Sequence, residues 1–211
     1  MIGKMIHLTG EVTQEMVANE ISIMMMNQGQ DIIECYDSLE HTPKPSPKEP
    51  HPKKQLWMMM EPMSGDMEKV INHCNDTNYE YGEDFISYVC YRTIQGINFL
   101  HKQKIVHRDI KSDNILYNYK GEIKLADFGF AVTLTEEKNM HNDVMGTLLY
   151  MAPELCSGEN YALSVDIWSF GIMCLELAFK RRPHEDVVPF PDEPLKILEL
   201  IKKGTPKLDK K

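Results

Sequence analysis

The chain is poor in several things, and each shortage removes a class of function. No apolar run approaches the about eighteen residues that a membrane span needs. Residues 1–11 carry Lys4, His7 and Glu11 and do not read as a signal peptide. There is no CxxC pair. The five cysteines (Cys35, Cys74, Cys90, Cys156 and Cys174) are odd in number and widely spaced, which excludes the usual zinc spacings and a disulfide framework. Reduced thiols in a cytoplasmic protein are the expectation. The eight histidines form no HExxH, so a metal hydrolase has no support. Positive charge is also short, with 23 Lys+Arg against 32 Asp+Glu and a net charge of −9. General nucleic-acid binding, which needs clustered cations, is not expected. No internal repeat is present.

What remains is globular in composition, 42% hydrophobic and 26% charged over 211 residues. A chain of this length buries roughly 70% of its unfolded surface. Residues 11–26 predict a helix, with Val17, Ile21 and Met24 at i, i+4 and i+7. Residues 31–40 and 56–61 predict strands. Five of the twelve prolines lie between Pro43 and Pro52, where missing donors and fixed φ angles preclude a sheet ladder. Residues 41–55 are therefore expected to form an exposed loop inserted in a hairpin. Residues 84–102 predict an amphipathic helix whose stripe is Ile86, Val89, Ile94, Ile97 and Leu100. Residues 122–126 predict a short strand, 166–179 a helix apolar enough to sit at a domain centre, and 194–203 a last amphipathic helix. This order suggests an α+β fold in which a small mixed part precedes a larger helical part.

The chemistry is concentrated in four short runs. His107-Arg108-Asp109-Ile110-Lys111-Ser112-Asp113-Asn114 falls between a helix and a strand. Asp127-Phe128-Gly129, Ala152-Pro153-Glu154 and Asp166-Ile167-Trp168-Ser169 follow in order. Together these resemble the signature set of eukaryotic protein kinases. Lys111, two residues after Asp109, and Gly146-Thr147 resemble the serine/threonine type. VHRDIKSDNIL, KLADFGFA and MGTLLYMAPEL are similar to the PAK and germinal-centre kinase group, and the likeness covers nearly the whole chain outside the proline loop.

The resemblance implies a two-lobed kinase fold, with residues 1–61 as a partial N-lobe and 62–211 as the C-lobe. It implies ATP and Mg2+ as cofactors and transfer of a phosphoryl group to protein Ser/Thr hydroxyls. Asp109 would accept the hydroxyl proton, Lys111 would place positive charge near the transferred group, and Asn114 and Asp127 would hold the metal. Lys4, paired with Glu20, would hold phosphates, although a frayed terminal lysine is the alternative reading. Met60 would be the gatekeeper, Glu61 and Met63 would offer backbone groups to adenine, and Leu116 would complete that site. Thr147 would line the acceptor pocket. Met24, Cys35, His107 and Phe128 would stack as an internal spine tied down by Asp166.

Some features depart from the family pattern. The first two strands and the GxGxxG loop are missing, and the chain is expected to end near the helix αG. Glu154 then lacks its usual arginine partner. Ile2 stands where alanine is usual at the pocket roof, and such overpacking commonly costs about 1–3 kcal/mol. Asp143 occupies the place of a phosphorylatable threonine, so it either presets the activation segment through Arg108 or is an ordinary solvated residue. Thr133 and Thr135 are alternative phosphosites. Asp113 would read a basic substrate residue. Pro47-Lys48-Glu49-Pro50, with four lysines against one glutamate over residues 43–55, would dock an SH3-type domain or act as a solvated insert. The function implied is a PAK-like serine/threonine kinase; the alternative is a catalytically impaired scaffold or a fragment of a longer kinase.

Overall fold

The computed structural model describes residues 2–7, 14–45, 54–182 and 194–204, with side chains for all of these except 2–7, 14–16 and 194–195. The chain opens with strand β1 (Ile2–His7) and helix α1 (Gln14–Met26). Strands β2 (Cys35–His41) and β3 (Gln55–Met60) follow. These strands form an antiparallel sheet in the order β1-β3-β2. His41 faces Gln55 in register, so the two end residues of the expected 41–55 loop belong to the strands; residues 46–53 lie outside the described set. Helix α1 packs Val17, Ile23 and Met24 inward, with Ile21 half-buried beside them.

The strand expected at 31–40 is shorter than its sequence suggested. It begins at Cys35, because Asp31–Ile33 is engaged elsewhere. Ile32 bridges Leu125 in parallel, the Ile33 N–H donates to the Leu125 carbonyl (2.9 Å), and the Leu125 N–H donates to the Asp31 carbonyl (2.8 Å). Ile32 and Ile33 are adjacent and both buried, which strict alternation across one sheet face does not permit.

Helices dominate beyond Met60. Strand β4 (Gly65–Asp66) leads into α2 (Met67–Thr77), an element outside the sequence expectations. Asp66 caps α2 by accepting from the Lys69 N–H (2.9 Å), and Asn78 ends it with a left-handed φ of 56°. Helix α3 (Glu83–Lys102) places Val89, Ile97 and Leu100 in the core, with Ile86 and Ile94 half-buried against it. Its acidic first turn and basic last turn complement the helix dipole.

Short strands β5 (Ile105–Val106), β6 (Ile115–Tyr117), β7 (Ile123–Leu125) and β8 (Val132–Thr133) come next. They pair antiparallel as β4-β6-β7 and β5-β8. Then come α4 (Pro153–Cys156), α5 (Ser164–Phe179) and α6 (Pro194–Lys202). In α6, Ile197 and Ile201 are buried against a cluster that includes Leu148, Leu149, Cys156 and Trp168.

Helix α5 corrects the expectation of a wholly enclosed helix. Ile167 and Phe179 are exposed, whereas Asp166, Ser169 and Glu176 are buried. The Glu176 carboxylate accepts from the Tyr150 hydroxyl (2.8 Å), and burial pushes its pKa up. Asp166 is fully buried and accepts the N–H groups of His107 (2.9 Å) and Arg108 (2.8 Å), and its Oδ2 meets His101 Nε2 at 2.8 Å.

Replacing Asp166 with alanine leaves two buried N–H groups unpaired. Each orphaned donor costs about 1–3 kcal/mol, so Asp166→Ala should lower the unfolding free energy by about 3–5 kcal/mol in urea titration. A loss below about 1 kcal/mol would show that this carboxylate does not organise the segment.

Candidate functional site

The segment after β5 turns sharply. Arg108 adopts a left-handed φ of 68°, and Asp127 does the same at 66°. Non-glycine residues seldom hold this conformation, and they keep it only where the surroundings enforce it. At Arg108 the enforcement is Asp166, which accepts the consecutive N–H groups of His107 and Arg108 leading into the turn. His107 is buried. Its Nδ1 accepts from the Asp109 N–H (3.3 Å), so Nε2 carries the proton and donates to the Ala126 carbonyl (3.1 Å). Its ring meets Phe128 edge-on, with centroids 5.1 Å apart. Met24, Cys35 and Phe128 are fully buried in the same core cluster.

Asp109 is the centre of a compact polar group and is 4% exposed. Its Oδ1 accepts the Thr147 hydroxyl at 2.7 Å. Its Oδ2 accepts from Asn114 Nδ2 (2.9 Å) and lies 3.0 Å from Lys111 Nζ. Lys111 Nζ also donates to Thr147 Oγ1 at 2.8 Å. Three of the predicted residues and Thr147 therefore converge. Asn114 spends its amide donors on Asp109, which leaves Oδ1 as the atom it can offer a ligand. The Ala126 N–H donates to the Asn114 carbonyl (2.9 Å), so Asn114 sits beside the residue that precedes Asp127. Asp127 itself is exposed. A carboxylate and an amide oxygen suit a hard cation such as Mg2+, which takes few protein ligands and completes its shell with phosphate and water. Among the described residues no three His, Cys, Asp or Glu side chains cluster as a metal site.

The segment between β3 and β4 is fixed from both sides. The Glu61 N–H donates to the Glu34 carbonyl (3.0 Å), and the Glu61 carboxylate accepts the Glu34 N–H (2.8 Å). Lys124 of β7 pairs with the same carboxylate at 2.6 Å. Among the described residues the Glu61 carbonyl and the Met63 N–H take no backbone partner outside the helices and strands. Met60, Met63 and Leu116 are half-buried against the main core. Asp66 pairs with Leu116 and the Ser64 N–H donates to the Tyr117 carbonyl (2.7 Å), which brings Met63 and Leu116 to one place. A Cβ at Gly65 would lie 2.9 Å from the Tyr117 ring, which would have to shift to admit it.

Glu20 is buried in α1, and its Oε2 lies 3.8 Å from where a Gly129 side chain would begin. Asn19, one residue earlier, donates to the Ala131 carbonyl (3.0 Å). Helix α1 is thus docked on the residues that follow Asp127. Lys4 lies opposite Met58 in the sheet, but its side chain, like that of Ile2, is outside the described residues, and so is the expected Lys4–Glu20 pair.

Arg108 organises the segment beyond Phe130. Its side chain is 6% exposed and bonds the Phe130 carbonyl (2.6 Å), the Tyr161 hydroxyl (2.8 Å) and the Asp143 carboxylate. Tyr161 in turn donates to the Asp143 carbonyl (2.9 Å). Asp143 is therefore hydrogen-bonded to Arg108 and Tyr161 while part of its side chain still faces solvent. Burial raises the Asp143 pKa, but the bond and charge of Arg108 outweigh it and hold the group below its ordinary 3.8. Gly146 admits this packing, because at φ 117° a Cβ would stand 2.3 Å from the Arg108 carbonyl oxygen. Glu154 takes no ion-pair partner among the described residues, whereas Arg182 pairs with Glu68.

Sequence reasoning missed Tyr161, His101, Asn19 and the Lys124–Glu61–Glu34 contact. All are partners across long sequence separations, and none carries a motif of its own. For α2 a signal existed, namely the cap residue Asp66 followed by Met67, Val70, Ile71 and Cys74 at helical spacing.

The family model described as "Protein kinase domain" matches residues 1–201. Serine/threonine-protein kinase CLA4 of Candida albicans is 36% identical over 208 residues, 98% of this chain and 20% of that protein. Serine/threonine-protein kinase STE20 of Saccharomyces cerevisiae is 37% identical over 207 residues, 97% of this chain and 20% of that protein. Serine/threonine-protein kinase pakA of Dictyostelium discoideum is 40% identical over 174 residues, 82% of this chain and 14% of that protein. The chain spans a fifth or less of the length of these relatives.

Asp143→Ala strands a buried guanidinium, and amide hydrogen exchange over residues 130–161 should quicken. In the unmodified chain the protection has a definite pH dependence. A carboxylate with a depressed folded pKa stabilises fully above its ordinary value of 3.8 and loses that effect as pH falls through the folded value. His141 and Tyr161 also face this group, and neither reverses that direction. Exchange that is indifferent to both the substitution and the acid would mean that the ion pair carries no order.

Proposed function

Because the chain belongs to the protein kinase domain family, we propose that it transfers the γ-phosphoryl group of ATP to serine or threonine hydroxyls of proteins. The observation that carries this reading is the Asp109–Lys111–Asn114–Thr147 cluster, in which a hydroxyl already donates to Asp109 at 2.7 Å. ATP would supply the phosphoryl group and Mg2+ the neutralising charge.

Asp109 receives the proton of the acceptor hydroxyl, and its second oxygen stays oriented by Asn114 and Lys111. Lys111 places positive charge where the transferred group would pass. Asn114 Oδ1 and Asp127 hold the cation. Lys4 and Glu20 serve the phosphates. Met60, Met63 and Leu116 enclose adenine, while the Glu61 carbonyl and the Met63 N–H bond its edge. The division near Glu61, with residues 1–61 on one side and 62–211 on the other, belongs to this reading, as does a cytoplasmic location. Among the described residues no helix is long and apolar enough to cross a membrane. Similarity to the named PAK and STE20 kinases supports a PAK-like enzyme. Asp143, bonded to Arg108, presets the activation segment without phosphorylation.

Incubation of the full chain with Mg2+ and γ-labelled ATP should label a basic protein substrate on serine or threonine. Asp109→Asn should reduce kcat by about 10²–10⁴-fold with little change in nucleotide affinity. A chain that binds nucleotide but labels nothing would replace this reading with that of a kinase-like scaffold. The Pro43–Pro52 stretch is proposed as an SH3-type docking segment. Deleting residues 43–52 should abolish retention on immobilised SH3 domains, and unchanged retention would identify it as a solvated insert.

A further inference from the structure

Two thiols outside the site stand in contact. Cys90 on α3 and Cys174 on α5 have Sγ atoms 3.3 Å apart, and both side chains are half-buried. The other three cysteines are differently placed. Cys35 and Cys74 are fully enclosed, and Cys156 is half-buried with its thiol pushed up to about 11 by burial.

We propose that Cys90 and Cys174 form a peroxide-reactive dithiol that closes to a reversible disulfide between α3 and α5. The sulfurs are close because the helices are tied elsewhere. His101 of α3 meets Asp166 of α5 at 2.8 Å. Cys90 lies eleven residues before His101 and Cys174 eight residues after Asp166, so the helices run antiparallel. The two contacts are separated by about 16 Å along α3 and about 12 Å along α5. An anchor at one end limits how far the sulfurs at the other end can part.

The roles of the two sulfurs differ. The thiol–thiol contact, in which either sulfur can donate, lowers the Cys90 pKa, while that contact and burial raise that of Cys174. In the step proposed, Cys90 attacks first. Its thiolate attacks one oxygen of hydrogen peroxide. The S–O bond forms, the O–O bond breaks, and hydroxide leaves to become water. Cys174 then gives up its proton and attacks the Cys90 sulfur. The S–S bond forms, the S–O bond breaks, and a second water departs. Two thiols lose two electrons and peroxide gains them. A dithiol reductant of the thioredoxin class reverses the step. The closed clasp fixes the seat of Asp166, and through it the turn at His107 and Arg108. This inference concerns the scaffold and does not depend on phosphoryl transfer.

The test treats the reduced full chain with equimolar hydrogen peroxide, alkylates the remaining thiols and maps peptides without reduction. One cross-linked peptide pair holding Cys90 and Cys174, lighter by two hydrogens and opened by dithiothreitol, is expected. Closure should raise Tm by roughly 4–16 °C. Cys174→Ser should give no cross-link, no shift of Tm with peroxide, and a Cys90 sulfenic acid captured by dimedone. Circular dichroism before oxidation separates a folding defect from a loss of reactivity, and Cys174→Ala serves as a second variant. Both thiols staying alkylatable, oxidation falling first on another cysteine, or a Tm that drops on closure would each overturn the proposal.

Discussion

The structure depends on one buried carboxylate. Asp166, fully buried, takes two consecutive backbone N–H groups and a histidine ring nitrogen. An isolated buried charge is costly, and this one is tolerated because its oxygens are bonded. The bonds force the chain to turn at Arg108. The turn points Arg108 one way, toward Phe130, Tyr161 and Asp143, and Asp109 the other, toward Asn114, Lys111 and Thr147. A single anchor thereby orients both the cluster with chemical potential and the segment that borders it.

The second organising element is the strand pair around Leu125. It ties residues 31–33 to β7, and β7 runs directly into Asp127. Lys124 of the same strand holds Glu61. Asn19 of α1 holds Ala131. The sheet, α1 and the helical part thus meet along one short run, residues 124–131, and each meets it through hydrogen bonds whose partners are far apart in sequence.

Legibility in the sequence followed the origin of each constraint. Asp109, Lys111, Asn114 and Asp127 could be read because the chemistry fixes residue type and spacing together, and the first three do converge. Helices α1, α3 and α6 could be read because their burial is periodic. The strand at 31–40 was overextended because DIIECY is apolar enough for a strand, while the pairing of Ile32 with Leu125 is set by the fold. Helix α5 misled for a related reason. Its composition is apolar, yet Ile167 and Phe179 face solvent while Asp166 and Glu176 do not. Position in the fold decides burial there, and residue type does not. Tyr161, which completes the surroundings of Arg108, carries no local signal at all.

The stitch at Leu125 also has a mechanical meaning. Its two hydrogen bonds, together with the Glu61–Lys124 pair, leave the three-stranded sheet few independent ways to tilt. A rocking sheet pulls on a strand whose next residues are Ala126 and Asp127, much as a crank turns its shaft. Tilting the sheet and displacing the Asp127 carboxylate are then a single movement.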